Sequence, residues 1–347
     1  MKKLRVGIIG TGEIARAAHL PGYASRAHDV ELVAVANRNR DKAEQVAASF
    51  QIPHVFTDYR AMLAHCELDA VSVCTPNRFH APIVLDALRA GCHVLCEKPP
   101  ALMVEDAITM AETARRCGRI LTYHFHFRQS AEVQALKRFV DAGELGGIYS
   151  ARVTALRRRG IPGWGTFTDK EIQGGGPLID IGIHMLDTAL YLMGFPEPDT
   201  VLAATHQRIG NRPGVGLMGE WDPARFTVED AAMGMVRFKN GASLLLETSF
   251  ALNIQQKSDM NVHLYGDRGG ATVFPPMLFQ EKHGTLVDVT LPYLETAQNK
   301  WEKSIHHFID CCLMRETPVS TPEQGIMVQR LIDAFYRSAE TGRAITC

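Results

Sequence analysis

Through the first third of the chain, short apolar runs alternate with longer stretches in which apolar residues recur at helical spacing. Val6 to Ile9, Val30 to Ala36, Ala70 to Cys74, His93 to Cys96 and Ile120 to Tyr123 read as buried strands. Between them, the residues from Glu13 onward, Asp41 to Phe50, residues 58 to 65, Ala81 to Arg89 and Val104 to Cys117 read as helices, with Gly91 and Gly118 closing the last two. This alternation predicts an α/β domain with a doubly wound parallel sheet and right-handed crossovers. Ligands of such sheets bind beyond the carboxyl ends of the strands.

Beyond Arg128 the period changes. Glu132 to Ala142 is helical, and then strand-like stretches dominate: Tyr149 to Leu156, Thr200 to Arg208, Asp230 to Phe238, Ala242 to Leu252 and Met260 to Gly266. Asn240-Gly241 between two of them reads as a two-residue hairpin turn. Trp301 to Leu313 and Pro322 to Thr341 return to helical spacing. The expected division is residues 1–123 as the parallel α/β domain and 124–347 as an α+β domain with a large open mixed or antiparallel sheet.

One helix of the second domain stands apart. Gly174-Gly175-Gly176 leads into Pro177, suited to a first helical position, and Gly194 followed by Pro196 stops the element, so the helix spans Pro177 to Met193. It is apolar nearly all round and should be buried, yet Asp180, His184, Asp187, Thr188 and Tyr191 share one stripe. Buried polar groups must be paired or face a cavity. The stripe either docks on a neighbouring sheet or lines a ligand crevice.

Composition bounds the function without changing this picture. The 347 residues suffice for two cores, and 46% apolar with 22% charged residues is ordinary for a globular protein. A formal net charge of -1 offers no basic surface for nucleic acid. No apolar run is long enough to span a membrane and no cleavable leader is visible, so a cytoplasmic protein with a small neutral or weakly charged ligand is expected. The eight cysteines sit in apolar segments without a C-x-x-C pair, which favours buried reduced thiols over disulfides or a zinc site.

The candidate chemistry begins at Gly10-Thr11-Gly12-Glu13-Ile14-Ala15, directly after the first strand. Gly10 permits a sharp turn, Gly12 lets backbone approach a pyrophosphate, and Ala15 is small enough for the helix to pack on the strand. The helix N-terminus supplies free N–H groups and partial positive charge. This is a dinucleotide-binding signature, and it makes the first domain Rossmann-like. About 20 residues on, where NAD sites carry an acid for the ribose 2′-hydroxyl, stands Asn37-Arg38-Asn39-Arg40. Arg38 or Arg40 can pair with a 2′-phosphate, which favours NADP(H) over NAD(H); Arg38 stacked on adenine with Asn37 on an unphosphorylated ribose is the competing arrangement. Three further strand ends carry Thr75-Pro76-Asn77-Arg78-Phe79-His80, Glu97-Lys98-Pro99-Pro100 and His124-Phe125-His126-Phe127-Arg128, and these should line one crevice.

The amino-terminal Gly-x-Gly-x-x-Ala, Glu97-Lys98-Pro99 at a strand end, and Asp180-x-x-x-His184 after a triple glycine together resemble the Gfo/Idh/MocA oxidoreductase family, which includes inositol dehydrogenases and glucose-fructose oxidoreductase. The resemblance covers almost the whole chain. It implies NAD(P)-dependent hydride transfer between the nicotinamide and a secondary hydroxyl or ketone of a sugar, cyclitol or derivative. It also implies that Lys98, Asp180 and His184 converge at the nicotinamide where the domains meet, and that Thr75, Pro76, Asn77, His80 and Glu97 hold the cofactor with the glycine turn. A homodimer or homotetramer through the open sheet is implied too. The residue types suit the chemistry: His184 as acceptor of the hydroxyl proton, Lys98 beside the developing alkoxide, Asp180 orienting hydroxyls. Two other readings use the same residues. One is a glycoside hydrolase or lyase working by transient oxidation with tightly bound NAD; the other is a ligand sensor without chemistry, against which the joint presence of Lys98, Asp180 and His184 argues.

Smaller signals complete the list of candidates. His124 and His126 point to one side if their strand continues, where they either contact substrate, with Arg128 beside them, or are ordinarily hydrogen-bonded; a His-x-His metal site is the less favoured third reading, with no cysteine partnering the pair. Trp164, in Gly160-Ile161-Pro162-Gly163-Trp164-Gly165, would stack on a sugar face or plug a junction. Arg157-Arg158-Arg159 reads as a solvated run, and His306, His307, Asp310, Cys311 and Cys312 read as structural.

Overall fold

The computed structural model describes residues 3–295 and 297–347. Two compact units divide the chain: Met1–Gln129 with Ala297–Ile326, and Ser130–Thr296 with Met327–Cys347.

The first unit is built on a parallel sheet of β1 (Leu4–Ile9), β2 (Val30–Ala36), β3 (His54–Phe56), β4 (Ala70–Val73), β5 (His93–Cys96) and β6 (Leu121–Tyr123), in the order β3-β2-β1-β4-β5-β6. The order reverses between β1 and β4, which is the switch point where ligands of such sheets bind. Strand β3 has no counterpart in the apolar pattern, because it is three residues long and lies half-exposed at the sheet edge. The first helix opens as a π turn, Ala15–His19, and continues as an α-helix, Leu20–Ala24.

The expected division at residue 124 misses a return of the chain. Helix Lys300–Cys312 packs on the first helix, and its Ile305, Phe308 and Ile309 share one core with Ile8, Leu20, Tyr23 and Val35. Gly22 is where the two helices touch: a Cβ there would come within 2.8 Å of Ile305. Arg26 meets Asp29 and Asp310, and Arg315 bonds Asp29 at 2.9 Å and Asp310 at 3.1 Å, so charged groups close the rim of this contact. The late helix belongs here because its apolar face completes a core begun by the first helix, a relation no local pattern displays.

The second unit carries a sheet of β7 (Ile148–Arg157), β8 (Pro198–His206), β9 (Ala231–Phe238), β10 (Ser243–Ser249), β11 (Ser258–Gly266), β12 (Gly269–Thr272), β13 (Met277–Lys282), β14 (Thr285–Thr290) and β15 (Ile345–Thr346). Their order is β14-β13-β12-β11-β7-β10-β9-β8-β15, antiparallel except where β7 pairs with β10. Asn240-Gly241 turns the β9–β10 hairpin, with Gly241 at φ 87°. One face buries Val153, Val236, Leu244, Leu246, Val262 and Leu264. Helix Ile183–Met193 packs there, against β7 and β11. The other face leaves Leu202, Met235 and Leu245 exposed in one register row, with Tyr265 and Phe279 further along. Among the described residues, no helix is long and apolar enough to cross a membrane.

Candidate active site

At the carboxyl edge of the first sheet, the glycine turn has the shape a pyrophosphate requires. Gly10 has φ +95°, and a Cβ on it would lie 2.5 Å from the Cys74 carbonyl oxygen, so no other residue fits. Gly12 is exposed and a Cβ there would meet only that oxygen, at 4.0 Å, which leaves its backbone approachable. Beside it, the hydroxyls of Thr11 and Thr75 are buried with no hydrogen-bond partner among the described residues. Open backbone and unsatisfied hydroxyls at a helix N-terminus suit a dinucleotide. Glu13 is exposed and Ile14 half-buried next to them. At the end of β2, Asn37 donates to the Asn39 carbonyl at 2.9 Å and Arg40 pairs with Glu44 at 2.7 Å. Arg38 lies over Phe79, 5.1 Å from the ring centroid, so the two arginines have different surroundings.

The loops after β4 and β5 are tied together by His80. Its ring nitrogens meet the carbonyls of Thr75 and Pro99, each at 2.8 Å, and burial pulls its pKa down. His80 therefore reaches the cofactor edge through backbone, with no ring nitrogen left over for a ligand. Pro76, Asn77 and Lys98 are half-buried around this brace. Glu97 is turned inward: Oε1 accepts from His19 at 2.9 Å and from His124 at 2.6 Å.

Strand β6 stops at Tyr123, so the expected continuation through His126 does not form. His124 turns in toward Glu97, His126 opens a 3-10 turn, and the two rings pack 5.2 Å apart, both buried. Arg128, expected at the substrate, is 1% exposed. It bonds Val319 at 2.7 Å and Gln324 at 2.5 Å, because the returning segment covers it. Its position corrects the sequence reading: Arg128 holds the returning chain.

In the second unit, the helix of Asp180 and His184 opens as a π turn, Leu178–Gly182, before Ile183–Met193. Asp180 and Tyr191, at the two ends of the stripe, are half-buried and His184 is 8% exposed, whereas Asp187 and Thr188 between them are in the interior. The N-terminal end is clamped. Glu229 accepts from the backbone N–H of Gly176 at 2.9 Å and of Leu178 at 3.2 Å, Tyr336 donates its hydroxyl to the same carboxylate at 3.0 Å, and Thr248 donates to the Pro177 carbonyl at 3.0 Å. Burial pushes the Glu229 pKa up while these donors oppose the shift. The triple glycine makes room for the clamp: a Cβ on Gly175 would strike the Tyr336 hydroxyl and one on Gly176 would come within 2.3 Å of the Glu229 carbonyl.

Arg157 does not belong to a solvated run. Burial lowers its pKa while the charge of Asp180 raises it, and its guanidinium stands 5.9 Å from the Phe250 centroid. Trp164 is 43% exposed in its loop, edge-on to Phe167 at 6.3 Å. His19, Glu229 and Arg157 are thus absent from the sequence-derived site. The i, i+4 pair His19 and Tyr23 on a buried helix face, and two consecutive acids before an apolar strand at Glu229-Asp230, are the signals that point to the first two.

A parallel sheet in this order, with an open glycine turn at its switch point, defines a Rossmann-type dinucleotide-binding protein. The chain matches the GFO_IDH_MocA oxidoreductase family, its NAD-binding Rossmann fold over residues 4–125 and its C-terminal alpha/beta domain over residues 137–347, and it belongs to that family. It is an oxidoreductase acting on CH–OH groups. It is 48% identical to D-glucoside 3-dehydrogenase of Escherichia coli K12, over 99% of this chain and 97% of that protein. It is 28% identical to 1,5-anhydro-D-fructose reductase of Ensifer adhaerens, over 98% and 97%. Among solved structures, levoglucosan dehydrogenase in complex with NADH and levoglucosan shares the fold with a TM-score of 0.85 at 24% identity, over 99% of both chains.

Proposed function

We propose that this enzyme oxidises the C3 hydroxyl of a glucoside, with NAD(P)+ as hydride acceptor. The observation that carries the reading is the 48% identity to a D-glucoside 3-dehydrogenase over nearly the full length of both chains. When bound, the nicotinamide would supply a hydride acceptor for the carbinol carbon. His184 accepts the hydroxyl proton, Lys98 stabilises the alkoxide character that develops on oxygen, and Asp180 holds neighbouring hydroxyls. Gly10, Thr11, Gly12, Glu13 and Ile14 hold the pyrophosphate, and Thr75, Pro76 and Asn77 hold the nicotinamide half. His80 and Glu97 fix the turns that carry them. With Arg40 engaged by Glu44, a preference for NADP(H) rests on Arg38.

The test is turnover of alkyl glucosides and free sugars with each cofactor, followed by the absorbance of reduced nicotinamide. Borodeuteride trapping of the product should put the label at C3. A label at another carbon would refute the regiochemistry, and glycoside cleavage without net cofactor reduction would shift the reading to bond cleavage by transient oxidation. The same reading makes the chain a homodimer or homotetramer through the open face of its second sheet, supported by the exposed row Leu202, Met235 and Leu245. A monomeric mass in solution would remove that part.

A further inference from the structure

Behind β4, β5 and β6 lies a chain of polar groups with no part in the chemistry above. Tyr23 Oη is 2.8 Å from Ser72 Oγ, Ser72 Oγ is 2.9 Å from His19 Nδ1, His19 Nε2 is 2.9 Å from Glu97 Oε1, and the same oxygen is 2.6 Å from His124 Nδ1. All five residues are buried. A carboxylate only accepts, so both imidazoles present N–H to Glu97. The proton of neutral His19 is then on Nε2, its Nδ1 accepts from Ser72, and Tyr23 is the donor to Ser72. His124 donates from Nδ1, and its Nε2 is buried without a hydrogen-bond partner among the described residues.

Among the described residues Glu97 pairs with these two imidazoles and with no lysine or arginine. Burial pushes the Glu97 pKa up, but His124 and His19 outweigh it and hold the carboxyl well below its usual range, whereas burial holds His19 neutral. The three groups share hydrogen bonds and titrate as one unit, with two states one proton apart, an anion and a neutral form. Among the surrounding groups, burial raises the thiols of Cys74 and Cys96 and the Tyr23 phenol and lowers His126, each toward its neutral form; it lowers His80 too, against the two carbonyls on its ring nitrogens. The charges of Lys300 and Lys98 also lower His126.

The strand order places this cluster with respect to a dinucleotide. Each side of the switch point takes one mononucleotide half. Asn37 and Arg38 at the end of β2 belong to the adenosine half, so the nicotinamide half falls on β4, β5 and β6, where Glu97 and His124 follow the last two strands. The oxidised ring is a cation and the reduced ring is neutral. In a low-dielectric interior a neighbouring anion responds strongly to that difference.

We propose that His19, Glu97 and His124 form a proton-holding cluster that is anionic while the oxidised nicotinamide is bound and takes up one proton when the reduced form is bound. Alcohol oxidation yields a ketone, a hydride and a proton; the hydride reduces the ring, and one proton equivalent stays in the enzyme until the reduced cofactor leaves. The inference rests on the NAD(P)-dependent reading. Titration calorimetry of the purified protein with NAD(P)+ and NAD(P)H, in buffers of differing ionisation enthalpy, tests it without turnover. Binding of the reduced form should take up close to one proton more than binding of the oxidised form. Between the cluster's titration with oxidised cofactor bound and its titration with reduced cofactor bound, the ratio of reduced to oxidised Kd should rise about tenfold per pH unit, and it should level off above the second. His124→Gln and Glu97→Gln should each abolish the difference, and His184→Ala should leave it in place. Equal proton uptake by the wild type overturns the proposal, as does loss of the difference in His184→Ala alone. Failure of both cofactors to bind would instead remove the cofactor reading and this inference with it.

Discussion

Glu229→Gln is the substitution that best isolates the clamp on the helix of Asp180 and His184. The carboxylate satisfies three buried donors, the N–H of Gly176 and Leu178 and the Tyr336 hydroxyl. A glutamine amide fills the same volume but offers one acceptor oxygen. If that oxygen keeps Leu178 and Tyr336, the amide nitrogen faces the Gly176 N–H, donor against donor. A charge-assisted bond is lost and one buried N–H is orphaned, which costs about 3 kcal/mol. For a unit of this size the melting temperature should fall by roughly 6 to 12 °C. Part of the strain relaxes by moving the Leu178–Gly182 turn, so kcat should fall about tenfold, with unchanged cofactor Kd because the glycine turn lies in the other unit. Tyr336→Phe removes one of the three donors and leaves the carboxylate paired with two N–H groups, so its effect should be about 1 kcal/mol. Calorimetric melting, steady-state kinetics and equilibrium cofactor titration read the three quantities separately. Wild-type melting and turnover in Glu229→Gln, or a larger effect in Tyr336→Phe, would show that the carboxylate does not hold the helix.

His184→Ala should lower kcat by on the order of 10²-fold with near-normal cofactor affinity, and Asp180→Asn should raise KM as well. Normal turnover per folded molecule in His184→Ala would confine the histidine to a structural role. Arg38→Ala should weaken NADP+ binding about tenfold and NAD+ less; a wild type that binds NAD+ more tightly than NADP+ would end the phosphate assignment. Asp29 and Asp310 are held below the usual carboxylate range, Asp29 chiefly by Arg315 and Asp310 chiefly by Arg26. Depressed carboxyls contribute stability that is present above their unfolded pKa of about 4 and lost as pH falls through the folded values. The melting difference between wild type and Arg315→Ala should therefore be largest near neutrality and shrink in acid; a pH-independent difference would contradict it.

Strands β1, β2, β4, β5 and β6 were legible because a parallel sheet covered on both faces needs uninterrupted apolar runs. β3 was not, being three half-exposed residues, and β12 to β14 were hidden because they are short, with β12 opening on two glycines and β14 half-solvated. The glycine turn and the Gly174-Gly175-Gly176 entry to the site helix could be read locally, since each imposes its geometry on neighbouring residues. The partners that hold those elements could not. His19 finds Glu97 across 78 residues and Glu229 finds Gly176 across 53, and only the topology brings them together. Arg128 misled for a similar reason, since the segment that buries it comes almost 200 residues later, at Val319 and Gln324.

The return of Lys300–Cys312 to the first unit has a consequence for biosynthesis. Leu20 and Tyr23 leave the ribosome early, but Ile305 and Phe308, which seal them, follow only after almost all of the second unit has been made. At about 5–20 residues per second that interval is on the order of ten seconds or more. Throughout it, the nascent amino-terminal half presents an apolar flank with no cover of its own, a substrate for holding chaperones and a liability for any gene fragment that stops at Gln129.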